Sequence, residues 1–221
     1  MGTAIGEHGM IGDTRTRGFV DGEAVLRRIG WEARSTLPRS VDAAGWPDGL
    51  SAIELDGARR VAQSYRAGTT ILDTYFSGPE GALKLTDFMP VETPSVDTLA
   101  AGHDARTVLA RVVRFLTGTR GSLCGTLTFA RPVGGASMHR QGPAAWSIDQ
   151  DPLVIHIEGA QGLTQDAQGL HMAFALKAGE QAHLAITCAC TEPAFPGTSL
   201  SAARKALAQC DAYWRSGDHS A

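Results

Sequence analysis

Apolar and polar residues alternate in short runs along most of the chain, and the alternation is densest between Ser64 and Val91. There Ile71, Asp73 and Tyr75 share one face of an extended run while Leu72, Thr74 and Phe76 share the other. Further on, Leu83 and Leu85 oppose Lys84 and Thr86. A period of two with β-branched and aromatic residues is the pattern of half-buried strands. Ala67-Gly68 and Gly78-Pro79-Glu80-Gly81 separate the runs, which predicts an antiparallel meander. Pro90 ends it, because a proline nitrogen has no hydrogen to give the ladder.

The same pattern predicts strands over 53–56 and 59–66, joined as a hairpin at Asp56-Gly57. It predicts a pair over 107–116 and 122–129 turning at Gly118–Gly121, then strands over 145–148 and 153–158. A last hairpin spans 168–176 and 181–188 around Lys177-Ala178-Gly179-Glu180. Glycine and proline mark 34–49 and 131–143 as loops, and 92–106 reads as an exposed connection. Only one segment has helical spacing: Leu200, Ala203, Leu207, Cys210 and Trp214 fall on one face, Thr198 or Ser199 is placed to cap it, and Gly217 to end it. The expected class is all-β, an antiparallel two-sheet β-sandwich (a super-sandwich) over residues 1–197, followed by a linker-type helix over 198–216.

Specific residues inside this pattern carry a resemblance. Y-R-x-G-T-T-I-L-x-T-x-F from Tyr65 to Phe76 and G-x-x-x-x-T-D-F-M-P from Gly81 to Pro90 resemble the N-terminal β-sandwich domain of family 15 glycoside hydrolases, the glucoamylase-like and trehalase-like group. I-G-D-T-R-T from Ile11 to Thr16 resembles the opening of that domain, and Arg111-Val112 before Gly118 resembles one of its strands. A-L-K-A-G-E-Q-A-H-L-A-I from Ala175 resembles its last hairpin. Ala206-Leu207 and Tyr213-Trp214-Arg215 resemble the helix that leads to an (α/α)-barrel catalytic domain. Residues 23–31 and Pro38-Arg39-Ser40 depart from the family, at a loop that lies near the catalytic mouth in its members. The chain stops seven residues after Trp214, before any barrel.

The resemblance therefore implies a non-catalytic accessory domain, either part of a longer enzyme or an orphan. Its partner would be a helical barrel glycosidase domain in cis or in trans, acting on an α-glucan or trehalose. Asp13, Arg15, Leu207 and Trp214 become interface candidates, and assembly into a homo-oligomer stays open. Inverting hydrolysis needs two carboxyl groups with water between them. The family supplies both from its barrel, so no catalytic residue carries over.

Composition narrows the alternatives. Hydrophobic residues make up 43% and charged residues 19%, which excludes a disordered chain. A net charge of −3 gives no reason to expect nucleic acid or an anionic membrane as a partner. The first twenty residues lack the apolar core of a signal peptide, so the expected compartment is the cytoplasm, with Cys124, Cys188, Cys190 and Cys210 reduced.

Among polar residues, Asp73 reads as a solvent-facing strand residue and Asp87 as a partner of backbone near Pro90. His156 and Glu158 alternate with Leu153, Ile155 and Ile157, so they read as an exposed pair that lacks a nucleophile. Cys188-x-Cys190 with His171 and His183 is better explained by two core thiols than by a metal, and neither metal nor cofactor is expected. Trp31, Trp46 and Trp146 lie in or beside loops. They are the candidates for stacking on a sugar, weighed against covering the ends of the sandwich. A free-standing carbohydrate-binding module is thus the second functional class, and an independent hydrolase the third.

Overall fold

The computed structural model describes residues 8–13, 15–31, 40–41, 46, 49–91, 108–133, 136–150, 153–159, 162–189 and 198–217. Among the described residues the protein is all-β and antiparallel, with one helix near the C-terminal end. One sheet runs through β1 (His8–Gly12), β2 (Thr16–Asp21), β3 (Leu26–Trp31) with β4 (Ser40–Val41) beside it, and β5 (Ser51–Leu55). The other begins with β6 (Arg59–Tyr65), β7 (Leu72–Ser77) and β8 (Gly81–Phe88), the meander expected from the sequence.

Both sheets share β9 (Val108–Ala130), a single strand of 23 residues. Its first half lies between β8 and β15 (Gln181–Ala189). Its second half lies between β5 and β14 (Gly169–Lys177), which also pairs with β13 (Thr164–Gln165). From β15 the second sheet continues through β12 (Leu153–Gly159), β11 (Ala145–Gln150) and β10 (Ser137–Gly142).

Three expected hairpins are therefore corrected. The glycines at 118–121 bend one strand from sheet to sheet instead of reversing it. A Cβ on Gly118 would lie 2.1 Å from the Lys177 carbonyl oxygen, and one on Gly121 would lie 2.0 Å from that of Glu80. Gly121 also has a φ of +57°, a left-handed backbone that glycine alone adopts freely. Backbone bonds from Ala178 to Gly121 and from Gly118 to Glu180 tie the Lys177–Glu180 turn to this bend. Hence β14 and β15 follow one another but belong to different sheets. At Asp56-Gly57 the chain likewise crosses over: β5 pairs with β9 while β6 pairs with β7. The segment 131–143, expected as a loop, contains β10, whose mostly exposed polar residues give no apolar alternation. The connection 92–106 lies outside the described residues.

Between the sheets sits one continuous apolar core, to which Leu26, Ile29, Leu127, Phe129 and Met172 contribute from the first sheet and Leu72, Leu85, Val112, Ile155 and Ile186 from the second. Arg114 crosses this core, fully buried. Its Nε bonds Asp87 Oδ1 at 2.9 Å, and its remaining donors reach Ser51 and the Ala24 carbonyl of the opposite sheet. Asp87, expected to bond backbone near Pro90, is instead the counter-ion of Arg114.

The helix α1 (Leu200–Ser216) lies on the outer face of the second sheet. Ser199 Oγ accepts from the Ala202 amide as the N-cap, and Gly217, with a φ of 68°, closes the C-terminal end. Ala203 and Cys210 are buried against Ile71, Phe88, Val113, Phe115 and Ala185, with Leu200, Leu207 and Trp214 packed at the margin. The stripe read from the sequence is the docked face.

Candidate functional site

A set of buried polar side chains of the second sheet lies on the face that carries α1. Pairing registers place Ser147, His156, Thr187 and Arg111 in one row across it. Glu158, Ala185 and Val113 form the next row, and His183, Phe115, Thr86 and Asp73 the one after. The small Ala185 side chain lets the helix approach the middle rows. Polar groups cluster on either side of that contact.

On the meander side, Asp73 is 5% exposed, not solvent-facing as its position in an alternating strand suggested. Arg66 grips it with Nε at 2.9 Å and a second nitrogen at 3.2 Å, while Thr86 donates at 2.5 Å and Lys84 lies 4.0 Å away. A bidentate arginine with a hydroxyl donor satisfies a buried carboxylate. The group is thereby committed to holding β6, β7 and β8 in register.

Near the start of α1, His156 and Glu158 are also buried, contrary to the expected exposed pair, at 8% and 6%. His156 Nε2 lies 3.4 Å from Glu158 Oε1. Glu158 Oε2 accepts from the Thr198 amide at 3.2 Å and its hydroxyl at 2.7 Å, with Arg111 3.9 Å away. Burial alone would raise the Glu158 carboxyl, but the hydrogen bonds from His156 and Thr198 outweigh it and hold the carboxyl below its ordinary value. His183, fully buried, donates from Nε2 to the Thr198 carbonyl at 2.8 Å, and burial pushes its imidazole below the usual range.

Ser147 stands opposite His156, so serine, imidazole and carboxylate follow one another as in a nucleophile–base–orienter series. Ser147, however, is 1% exposed, and its Oγ accepts from Gln141 Nε2 at 2.9 Å. The row works as packing. Both Asp73 and Glu158, the buried carboxylates on this face, thus already hold a cation and a hydroxyl.

The tryptophans that could stack on a sugar are turned inward. Trp31, Trp46 and Trp146 are 8%, 1% and 8% exposed and belong to the main core. Trp46 donates to the Ala130 carbonyl at 2.8 Å and meets Phe129 edge-on at 6.1 Å. A pyranose needs an open ring face, and these rings offer none. Among the described residues, Tyr65 and Tyr75 are the most exposed aromatic side chains.

Asp13 holds a tight turn, its Oδ1 accepting from the amides of Arg15 and Thr16 at 2.6 Å each, while the Arg15 side chain is exposed. Cys188 faces the inter-sheet core, where burial pushes its thiol up to about 12. Cys190 lies outside the described residues, and no group of three metal-ligating side chains occurs among the described ones. A shallow cleft of about 410 Å³ lies at Gly57–Arg59 and Ser77–Pro79.

Stretches distant in sequence meet around Met89, which is fully buried. Thr16 Oγ1 lies 3.7 Å from its sulfur, and Cys210 Sγ of α1 donates to its carbonyl at 3.4 Å. Nearby, Thr70 donates to the Gly12 carbonyl at 2.6 Å, and Tyr65 to that of Met10 at 2.8 Å. Residues 11–13, 15 and 16, the meander and the helix thus form one corner. Comparison with protein-family models found no match, and neither did a search of curated proteins.

Proposed function

We propose that this chain is a non-catalytic accessory domain of a glucoamylase-like or trehalase-like glycoside hydrolase. It would buttress a helical barrel that cleaves α-glucosidic bonds, supplied in cis or in trans. The convergence on Met89 carries the reading. Ile11–Thr16, Tyr65–Pro90 and the helix bearing Trp214 each resemble the family separately, and their described residues are neighbours in space. Shared constraints on three remote stretches make sense if that corner presents one surface to a partner. Asp13, Arg15, Leu207 and Trp214 are the residues it would present. The buried Cys188 and Cys210 lie on opposite faces of the second sheet and form no bridge with each other.

Two measurements test this. Isothermal titration with maltose, trehalose and longer α-glucans is expected to give no saturable heat, since the tryptophan faces are covered. Mixing the chain with a separately produced helical barrel of this type is expected to raise the barrel's melting temperature. Arg15→Glu with Trp214→Ala should abolish that rise. Sugar binding in the titration would turn the domain into a carbohydrate-binding module. A barrel indifferent to the chain would remove the scaffold role.

A further inference from the structure

Thr198 is the last residue before the N-cap of α1, and each of its polar groups ends on a side chain of the sheet below. Its amide and hydroxyl donate to Glu158, its hydroxyl accepts from Arg111, and its carbonyl accepts from His183. We propose that these contacts form a proton-sensitive latch, through which mild acid frees α1 from the sheet while the sandwich stays folded.

The tautomer follows from the bonding. A carbonyl only accepts, so His183 Nε2 carries the hydrogen and Nδ1 is bare in the neutral ring. Nδ1 is buried and has no hydrogen-bond partner. Protonating it places a second N–H and a full charge where no acceptor among the described residues receives them.

The surroundings oppose that charge. Arg111 of β9 already contributes a guanidinium, and α1 presents its positive dipole end with no acidic residue in its first turn. Among the described residues it is Glu158 of β12 that attracts the new charge, and its carboxylate is shared among His156, Arg111 and Thr198.

The sign follows from linkage. A histidine whose folded-state value is lowered contributes stability that is complete above about pH 6.5 and declines as the pH falls toward the lower folded value. Glu158, also lowered, adds a second loss that begins only below about pH 4.5. The first step belongs to His183. It loosens the helix because the buried ring lies on the outer face under the helix entry. The imidazolium keeps its Nε2–H bond to Thr198, but lifting that entry lets water reach the charge and the new Nδ1–H while the inter-sheet core is untouched.

Amide hydrogen exchange on the full chain between pH 7.5 and 5 tests the latch. Protection factors of residues 200–216 are expected to fall by up to about tenfold per pH unit inside the window. Amides in the first half of β9 should keep theirs. His183→Gln retains a donor for the Thr198 carbonyl and cannot be charged, so its helix should stay protected to pH 5. His156→Gln should leave the step in place.

Helix protection that is flat with pH, that falls equally in His183→Gln, or that falls together with the sheet would overturn the proposal. So would a step that vanishes in His156→Gln instead. Should His183→Gln fail to fold, the imidazole resonances of the native chain decide. His183 must titrate in step with the α1 amides, and independent titration would refute the latch.

Discussion

The heaviest single side-chain commitment is Arg114, a fully buried cation whose donors all go to Asp87, Ser51 and Ala24 across two sheets. Burial pushes the Asp87 carboxyl up, and Arg114 pulls against it. Taking two charges out of water costs about as much as their attraction returns, so such a pair fixes geometry more than it adds stability. Arg114→Met alone should therefore destabilise the fold by about 3–5 kcal/mol, because it leaves Asp87 charged and stranded. Arg114→Met with Asp87→Leu should recover most of that loss. Urea denaturation of the two single variants and the double variant measures the cycle. A double variant as weak as the worse single one would show that the pair itself holds the sheets together. Nothing in the sequence announces this contact: the partners are 27 residues apart, and β9 pairs in a way that its glycines disguise.

Strands are legible in the sequence wherever one face is apolar, as in β7, β8, β12, β14 and β15, and so is the amphipathic helix with its cap and its glycine stop. Connectivity is not. Glycine between two apolar runs reads as a reversal, yet at Gly118–Gly121 it permits three backbones to pass within contact of one another. Only the positions of Lys177 and Glu80 reveal that. The candidate site is half legible for a similar reason. Period two places His156 and Glu158 on one face correctly, but their burial depends on the entry to a helix 40 residues later in the chain covering that face. The two kinds of glycine separate experimentally. Gly57 has a φ of +66° and nothing within 4 Å of where a Cβ would stand, so Gly57→Ala should cost only about 1–2 kcal/mol of backbone strain. Gly118→Ala drives a Cβ into the Lys177 carbonyl and should cost about 4 kcal/mol or prevent folding. Equal denaturation midpoints for the two would mean that β9 does not bend as described.

At the scale of the whole molecule, two apolar clusters do different work. The one between the sheets contains no residue of α1 and holds the sandwich together, whereas the one on the outer face exists only where α1 covers it. A chain ending at residue 197 should consequently keep its β-sheet circular dichroism while melting at a lower temperature. It would also expose Ile71, Phe88, Val113 and Phe115 as a contiguous apolar patch, of the kind that drives association in soluble domains. Size-exclusion chromatography should then show concentration-dependent oligomers, and Phe115→Gln in the same truncated chain should reduce them. A truncated chain that stays monomeric, or one that loses its sheet signal altogether, would each contradict this division. In the first case the patch needs no cover; in the second the helix is part of the core. The distinction bears on the scaffold role, because an element that is seated on a finished sandwich can pass strain from a docked partner without unfolding what lies beneath it.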